Sequence, residues 1–199
     1  MRAASLRQAR WHRHVNFVNA APDMRGWLTG DGSLTARLIA SSSAFRVQRL
    51  HQHTALCLPD EAHAIGMQRP GRVWEREVLL RCDERPVVFA HTVVPMSASA
   101  ADWPLFSALG ERSLGSTLFG DPKVARGALE FARIRAGHPL LARARAVLGA
   151  STASVLYARR CLYRRRQGTL LVTEVFLPAV LDLSAPTAFK QQYVVNSAK

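Results

Sequence analysis

What this sequence lacks narrows its reading before any motif does. No apolar run approaches the roughly 18–20 residues that a membrane-spanning helix needs, so stable membrane insertion is not expected. The three cysteines, Cys57, Cys82 and Cys161, are scattered and form no C-x-x-C pair. That excludes a disulfide framework or a cysteine zinc site and suits a reducing compartment, read as the cytoplasm. Internal repeats and Gly/Ser- or Pro-rich linkers are absent, so the 199 residues are expected to form one domain. Lysine is scarce, at positions 123, 190 and 199 only, and 24 of the 27 basic residues are arginine. Against 14 acids they give a formal charge of +13, which suits an anionic partner, although a GC-rich coding sequence produces the same bias.

Two stretches concentrate that charge. MRAASLRQARWHRH opens a segment with no acid before Asp23 and no secretory apolar core. It has a faint presequence character, but the simpler reading is a basic terminal segment, 1–22, that frays. The second stretch, YARRCLYRRR at 157–166, alternates as a strand does and sets Tyr157, Arg159, Cys161, Tyr163 and Arg165 on one face. A solvated sheet face is the simpler account of it. The alternative is a stripe that binds single-stranded nucleic acid, which no recognised motif supports.

Punctuation by Gly, Pro and Ser sets the order of elements. Residues 23–28 read as a short helix ended by Gly30, and Ser33 caps a second helix to about Ala40. Residues 45–56 are extended, with His51 and His53 on one face; the spacing offers no third metal ligand, so exposed strand residues are the expectation. Residues 73–82 and 86–94 form an antiparallel hairpin across Asp83-Glu84-Arg85. Helical patterning returns at 103–110 and 113–119, residues 121–134 are extended or briefly helical, and 139–148 is a further helix. A last hairpin pairs 153–166 with 169–177 across Gln167-Gly168. Hairpins in place of crossovers make this an α+β order.

Two charges sit where apolar residues belong. LLVTEVFLP, residues 170–178, carries Glu174 in a strand with no plainly wet face. Such a carboxylate must be protonated, paired with a cation or turned to a polar pocket. Arg76 of WEREVLL shares the more apolar face of its strand with Trp74, Val78, Leu80 and Cys82, while Glu75, Glu77 and Arg81 lie opposite. Arg76 and Glu174 could neutralise each other or converge on a ligand.

The motifs GDGSLTARL, WEREVLL, AHTVVP, LGSTLFG and LLVTEVFLP, collinear over residues 26–183, resemble the chorismate lyase (chorismate pyruvate-lyase) family. The resemblance implies a single domain at 23–183, followed by a tail at 184–199. Its architecture would be a six-stranded antiparallel sheet flanked by helices, with a buried site under two helix-turn-helix flaps. It implies cleavage of chorismate to 4-hydroxybenzoate and pyruvate, the first committed step of ubiquinone biosynthesis, with no cofactor and no metal. In the carried-over site Arg76 grips the ring carboxylate, helped by the main-chain amides of Leu34 and Leu114, and Glu174 meets the ring hydroxyl; Arg76 and Glu174 are the catalytic pair.

This sequence departs from the family at Ala90 and His91, where glycine and arginine are frequent. His91 is open to two readings, contact with the enolpyruvyl carboxylate or a structural role. A cytoplasmic monomer that retains its product under flaps, binds no nucleic acid and hands product to a membrane prenyltransferase completes the expectation. The rival reading is a non-catalytic sensor module of the same fold; the 22 residues before Asp23 are too few for the winged-helix domain that usually precedes one.

Overall fold

Proline and serine start the helices of this chain. The computed structural model describes residues 7–30, 32–98, 102–104, 106–148 and 153–183, without the side chains at 116 and 119. Pro22 opens α1 (Pro22–Thr29), Pro59 opens α3 (Pro59–Ala64) and Pro139 opens α5 (Pro139–Leu148), positions where a missing N–H costs nothing. Ser33 caps α2 (Leu34–Ala40), its Oγ accepting from the Ala36 amide at 3.3 Å, and Ser113 precedes α4 (Leu114–Gly120). Helix α3 was not foreseen; at six residues it is too short for a periodic signal. None of the described helices is long and apolar enough to cross a membrane.

Six strands, β1 (Phe45–Leu56), β2 (Arg72–Cys82), β3 (Arg85–Pro95), β4 (Val124–Arg135), β5 (Val155–Arg165) and β6 (Gly168–Phe176), form one antiparallel sheet in the order β1-β2-β3-β6-β5-β4. The hairpin turn before β3 places Asp83 and Glu84 at φ 48° and 63°, a left-handed pair matched to the twist of two strands. Asp83 fixes it by accepting from the Ser43 and Ala44 amides, both at 2.9 Å. The first three strands make one half of the sheet and the last three the other. The two halves join at the β3–β6 ladder, from Val88↔Phe176 to Val93↔Leu171.

Both faces of this sheet are covered. On one, Trp27, Leu28 and Leu38 of α1 and α2 pack over Val78, Leu80, Val88 and Phe176. On the other, Leu140, Leu141 and Ala144 of α5 pack over Leu79, Phe89, Ala132, Ile134 and Val175. Each such aliphatic side chain contributes on the order of 1.5–3 kcal/mol when withdrawn from water. Strands covered on both sides explain the near-continuous apolar runs of β3 and β6.

Four expectations change. Residues 157–166 are not a solvated stripe: Arg159 and Arg160 are buried in ion pairs with Glu174 and Glu130, and Arg165 pairs with Asp121. Residues 106–110 form turns instead of helix, as do 102–104, with Gly110 at φ 53°. The stretch at 121–134, open between strand and helix, is the twelve-residue strand β4. Within the basic segment 1–22, set apart in sequence, residues from Ala9 onward lie against the domain. Trp11 Nε1 donates to Asp60 Oδ2 at 2.9 Å, the Arg160 guanidinium lies over the Trp11 ring, and His12 bridges to Phe131 of β4. The segment at 184–199 falls outside the described residues.

Candidate active site

Helices α2 and α4 meet over the face of the sheet that carries Arg76. Thr35 Oγ1 and Ser113 Oγ are 2.6 Å apart across that contact, and a Cβ at Gly115 would come within 3.0 Å of Thr35 Oγ1. Glycine is what lets the two helix starts approach. Beneath them lies a cavity with about 640 Å³ of space, part of it open to solvent, walled by Val47, Val78, Leu80, Ala90, Leu129 and Val172. Leu34 and Leu114, the first residues of α2 and α4, also line it. First-turn amides of a helix have no partner within the helix.

Arg76 forms one end. It is 2 % exposed, its Nη2 donates to the carbonyls of Gly110 (3.0 Å) and Arg112 (2.9 Å), and its buried Nε has no hydrogen-bond partner among the described residues. No carboxylate reaches it among the described residues. Burial, with Arg49 nearby, pulls its pKa down to about 10, which leaves the guanidinium charged at neutral pH. A cation withdrawn from water without a counter-ion is costly, and a planar anion would satisfy it with paired hydrogen bonds.

Glu174 forms the other end. The β5–β6 register sets it opposite Arg159, whose Nε donates to Glu174 Oε2 at 2.5 Å. Arg159 Nη1 donates onward to the carbonyls of Leu28 (3.3 Å) and Gly30 (3.0 Å), so one guanidinium ties the carboxylate to the last turn of α1. Cations are favoured there by the exposed carbonyls of a helix end. Oε2 is thereby taken, while Oε1 has no hydrogen bond among the described residues. Arg76 and Glu174 thus face one cavity but do not pair.

The cavity brings together four of the expected site residues, Leu34, Arg76, Leu114 and Glu174. His91 is not among them. Its neighbours Ala90 and Thr92 line the cavity, so strand alternation turns His91 to the opposite face, where it is fully buried. There Nδ1 lies 3.0 Å from Glu77 Oε1 and Nε2 lies 2.9 Å from Glu61 Oε1, within a cluster completed by Glu75 and Arg143. Burial opposes the imidazolium, but the carboxylates of Glu61, Glu77 and Glu75 outweigh it and raise His91 to about 10. Contact with an enolpyruvyl carboxylate does not fit this placement; a structural role does.

The pair His51 and His53 finds its third potential ligand across the ladder, not along the chain. Ligand atoms of His51, His53 and Glu75 lie within 4.8 Å of one another. Arg143 already occupies this carboxylate cluster as its cation, Nη1 standing 3.0 Å from Glu75 Oε2 and 2.5 Å from Glu77 Oε1.

Sequence reasoning missed Arg126, Arg159, Cys161 and Tyr163, all of which line the cavity. The alternation of 157–165 already grouped three of them; only the wetness of that face was misjudged. Burial pushes the Tyr163 hydroxyl and the Cys161 thiol up, the latter opposed by Arg126 beside it. Arg126 had no signal, because a bulge shifts its phase: it pairs with Tyr163, yet Leu129 pairs with Cys161.

A single sheet with a cavity under paired helices, cationic at one end and acidic at the other, defines a small-molecule-binding class of domain with a chamber suited to an anion. This chain belongs to the chorismate lyase family: the family model so described matches residues 5–184. The chain is 49% identical to a probable chorismate pyruvate-lyase of Cupriavidus metallidurans over 181 residues, 90% of this chain and 85% of that protein. It is 52% identical to one of Ralstonia nicotianae over 163 residues (80% and 84%), and 43% identical to one of Dechloromonas aromatica over 175 residues (88% and 98%). Among solved structures, the effector domain of PhnF from Mycobacterium smegmatis superposes with a TM-score of 0.52 at 16% identity, covering 75% of this chain and 90% of that one; the likeness is one of fold.

Proposed function

We propose that the protein is a chorismate pyruvate-lyase, acting on a small dianion in the cavity between Arg76 and Glu174. The observation that carries the reading is Arg76: a buried guanidinium without an acidic partner among the described residues, facing the same apolar chamber as Glu174. In this reading Arg76 and the amides of Leu34 and Leu114 hold the ring carboxylate, and Oε1 of Glu174 accepts from the ring hydroxyl. The carbon bearing the hydroxyl loses its hydrogen as a proton, and the C–O bond to the enolpyruvyl group breaks. The ring becomes the aromatic 4-hydroxybenzoate, and the released enolate takes up a proton at carbon as pyruvate. Aromatisation drives the reaction, so the protein's task is to orient the dianion and exclude water, without a cofactor. We place the protein in the cytoplasm, as a monomer that passes 4-hydroxybenzoate to a membrane prenyltransferase for ubiquinone.

The test is to incubate purified protein with chorismate, with chelator present, and separate the products by chromatography. Equimolar 4-hydroxybenzoate and pyruvate are expected. A folded protein that binds 4-hydroxybenzoate but leaves chorismate intact would overturn the enzymatic reading and leave a sensor.

A further inference from the structure

We propose that His51, His53, Glu75 and Glu77 form a site for a divalent transition metal, best fitted by Zn²⁺, on the face of the sheet opposite the cavity. The site stands apart from the chorismate reading, whatever the cavity binds. Glu75 and Glu77 are 1 % and 3 % exposed, and each divides its two oxygens between two neighbourhoods. The inner oxygens, Glu75 Oε2 and Glu77 Oε1, face Arg143, and Glu77 Oε1 also meets His91 Nδ1. The outer oxygens turn to the histidines of β1. Glu75 Oε1 lies 2.9 Å from His51 Nε2 and 3.9 Å from His53 Nε2, and Glu77 Oε2 lies 3.6 Å from His51 Nε2. Glu77 Oε2 accepts no hydrogen bond among the described residues, although its side chain is almost wholly buried. Arg143 therefore fills the inner side of the cluster and leaves the outer side to a second cation.

The spacing suits a tetrahedral ion. Zn²⁺ holds nitrogen and oxygen ligands at roughly 2.0–2.2 Å, which sets neighbouring ligand atoms about 3.3–3.5 Å apart. The three distances of 2.9, 3.6 and 3.9 Å bracket that edge, and ligand atoms of His51, His53 and Glu75 all lie within 4.8 Å of one another. Mixed imidazole and carboxylate donors favour Zn²⁺ over Mg²⁺ or Ca²⁺, which take oxygen ligands. Charge agrees, since the cluster sets three carboxylates, Glu61, Glu75 and Glu77, against two cations, His91 and Arg143. The register is arranged for the site as well. From Arg49 to His51 strand β1 takes two steps while β2 takes one, from Val78 to Glu77, and this bulge sets His51 opposite Glu77 and His53 opposite Glu75. The side chains of His51 and His53 are 32 % and 54 % exposed, so an ion reaches them from solvent. Strand β1 ends the sheet, and an ion held by two residues of β1 and two of β2 clamps this edge strand to its neighbour.

The experiment titrates untagged, metal-free protein with Zn²⁺ and, separately, with Co²⁺ as a spectroscopic stand-in. One Zn²⁺ should bind per chain, and Co²⁺ should give the intense visible absorption of a tetrahedral centre. His51→Ala and His53→Ala remove partly exposed side chains, and each should weaken Zn²⁺ binding by at least about 100-fold, since losing a group that only supports a ligand already costs roughly 10–100-fold. His63→Ala, at an exposed histidine of α3 outside the cluster, should bind as the wild type does. Added Zn²⁺ should raise the melting temperature of the wild type progressively, by mass action, and leave that of the two cluster variants unmoved. Wild-type protein that binds no Zn²⁺, a weak octahedral Co²⁺ spectrum, or undiminished binding in both cluster variants would overturn the assignment. Each readout is metal binding or stability, so the result is independent of whether chorismate is turned over.

Discussion

At Thr92, His91 and Ala90 a shift of one residue along β3 separates two chemistries. Ala90 and Thr92 belong to the ligand cavity, whereas His91 is locked between Glu61 and Glu77 on the far side. Its folded pKa, about 10, lies above the ordinary histidine value. Below pH 6.5 both folded and unfolded chains hold the proton, and the imidazolium contributes its full stabilisation. Between 6.5 and 10 the unfolded chain binds fewer protons than the folded one, so stability falls as pH rises. Urea unfolding midpoints from pH 6 to 10 should show this decline, and His91→Gln should flatten it while lowering stability by about 3 kcal/mol, because buried carboxylates lose their partner. Glu174 lives under other rules. Replacing it with Gln should reduce kcat by roughly 100-fold or more, the scale of a positioned acid–base or hydrogen-bonding group, and should also lower the melting temperature, because the buried Arg159 loses its carboxylate partner. Both Arg76 and Glu174 were legible because a charge inside an apolar strand violates its surroundings. Arg126 was not, since a bulge erases the period-two rule by which faces are assigned from sequence.

Among the elements, hairpins read most clearly, because turn residues and alternating apolar residues agree; Asp83 and Glu84 adopt the left-handed geometry their turn requires. Short helices read least well. Helix α3 has one buried turn held by Glu61 Oε2 accepting from the Leu58 amide at 2.9 Å, a tertiary arrangement with no periodicity to display. The stretch at 103–110 carried helical spacing, yet the carbonyls of Gly110 and Arg112 are spent on Arg76, so its described backbone turns to serve the site. Helices α2 and α4 were legible from their serine starts, but their contact was not. That contact gives a prediction at this scale. Gly115→Val would place two methyl groups where Thr35 Oγ1 now stands and prise the helix starts apart. Leu34 and Leu114 would then cease to converge, and 4-hydroxybenzoate should bind about tenfold more weakly and dissociate faster in stopped-flow displacement. Unaltered dissociation would mean that product leaves by another route.

For the whole molecule, three of the arginines behind the formal charge of +13, Arg159, Arg160 and Arg165, are spent on internal ion pairs. What remains acts at long range on an anionic substrate. Raising ionic strength from about 20 to 300 mM should lower kcat/KM severalfold, with kcat nearly constant, as screening shortens the reach of the field. A salt-independent kcat/KM would place the limiting step after encounter. The described sheet halves share one ladder, β3 with β6, and the cavity straddles it: Leu34, Arg76 and Thr92 come from the first half of the chain, Arg126, Arg159 and Glu174 from the second. Ligand affinity is therefore a conjunction of two half-folds. Neither half can present a site alone, and a slip of one residue at the seam would swing Glu174 towards the His91 side while leaving much of each half intact. The capacity to hold an anion thus reports on the register of the β3–β6 seam, because only the in-register pairing sets Arg76 and Glu174 about one chamber.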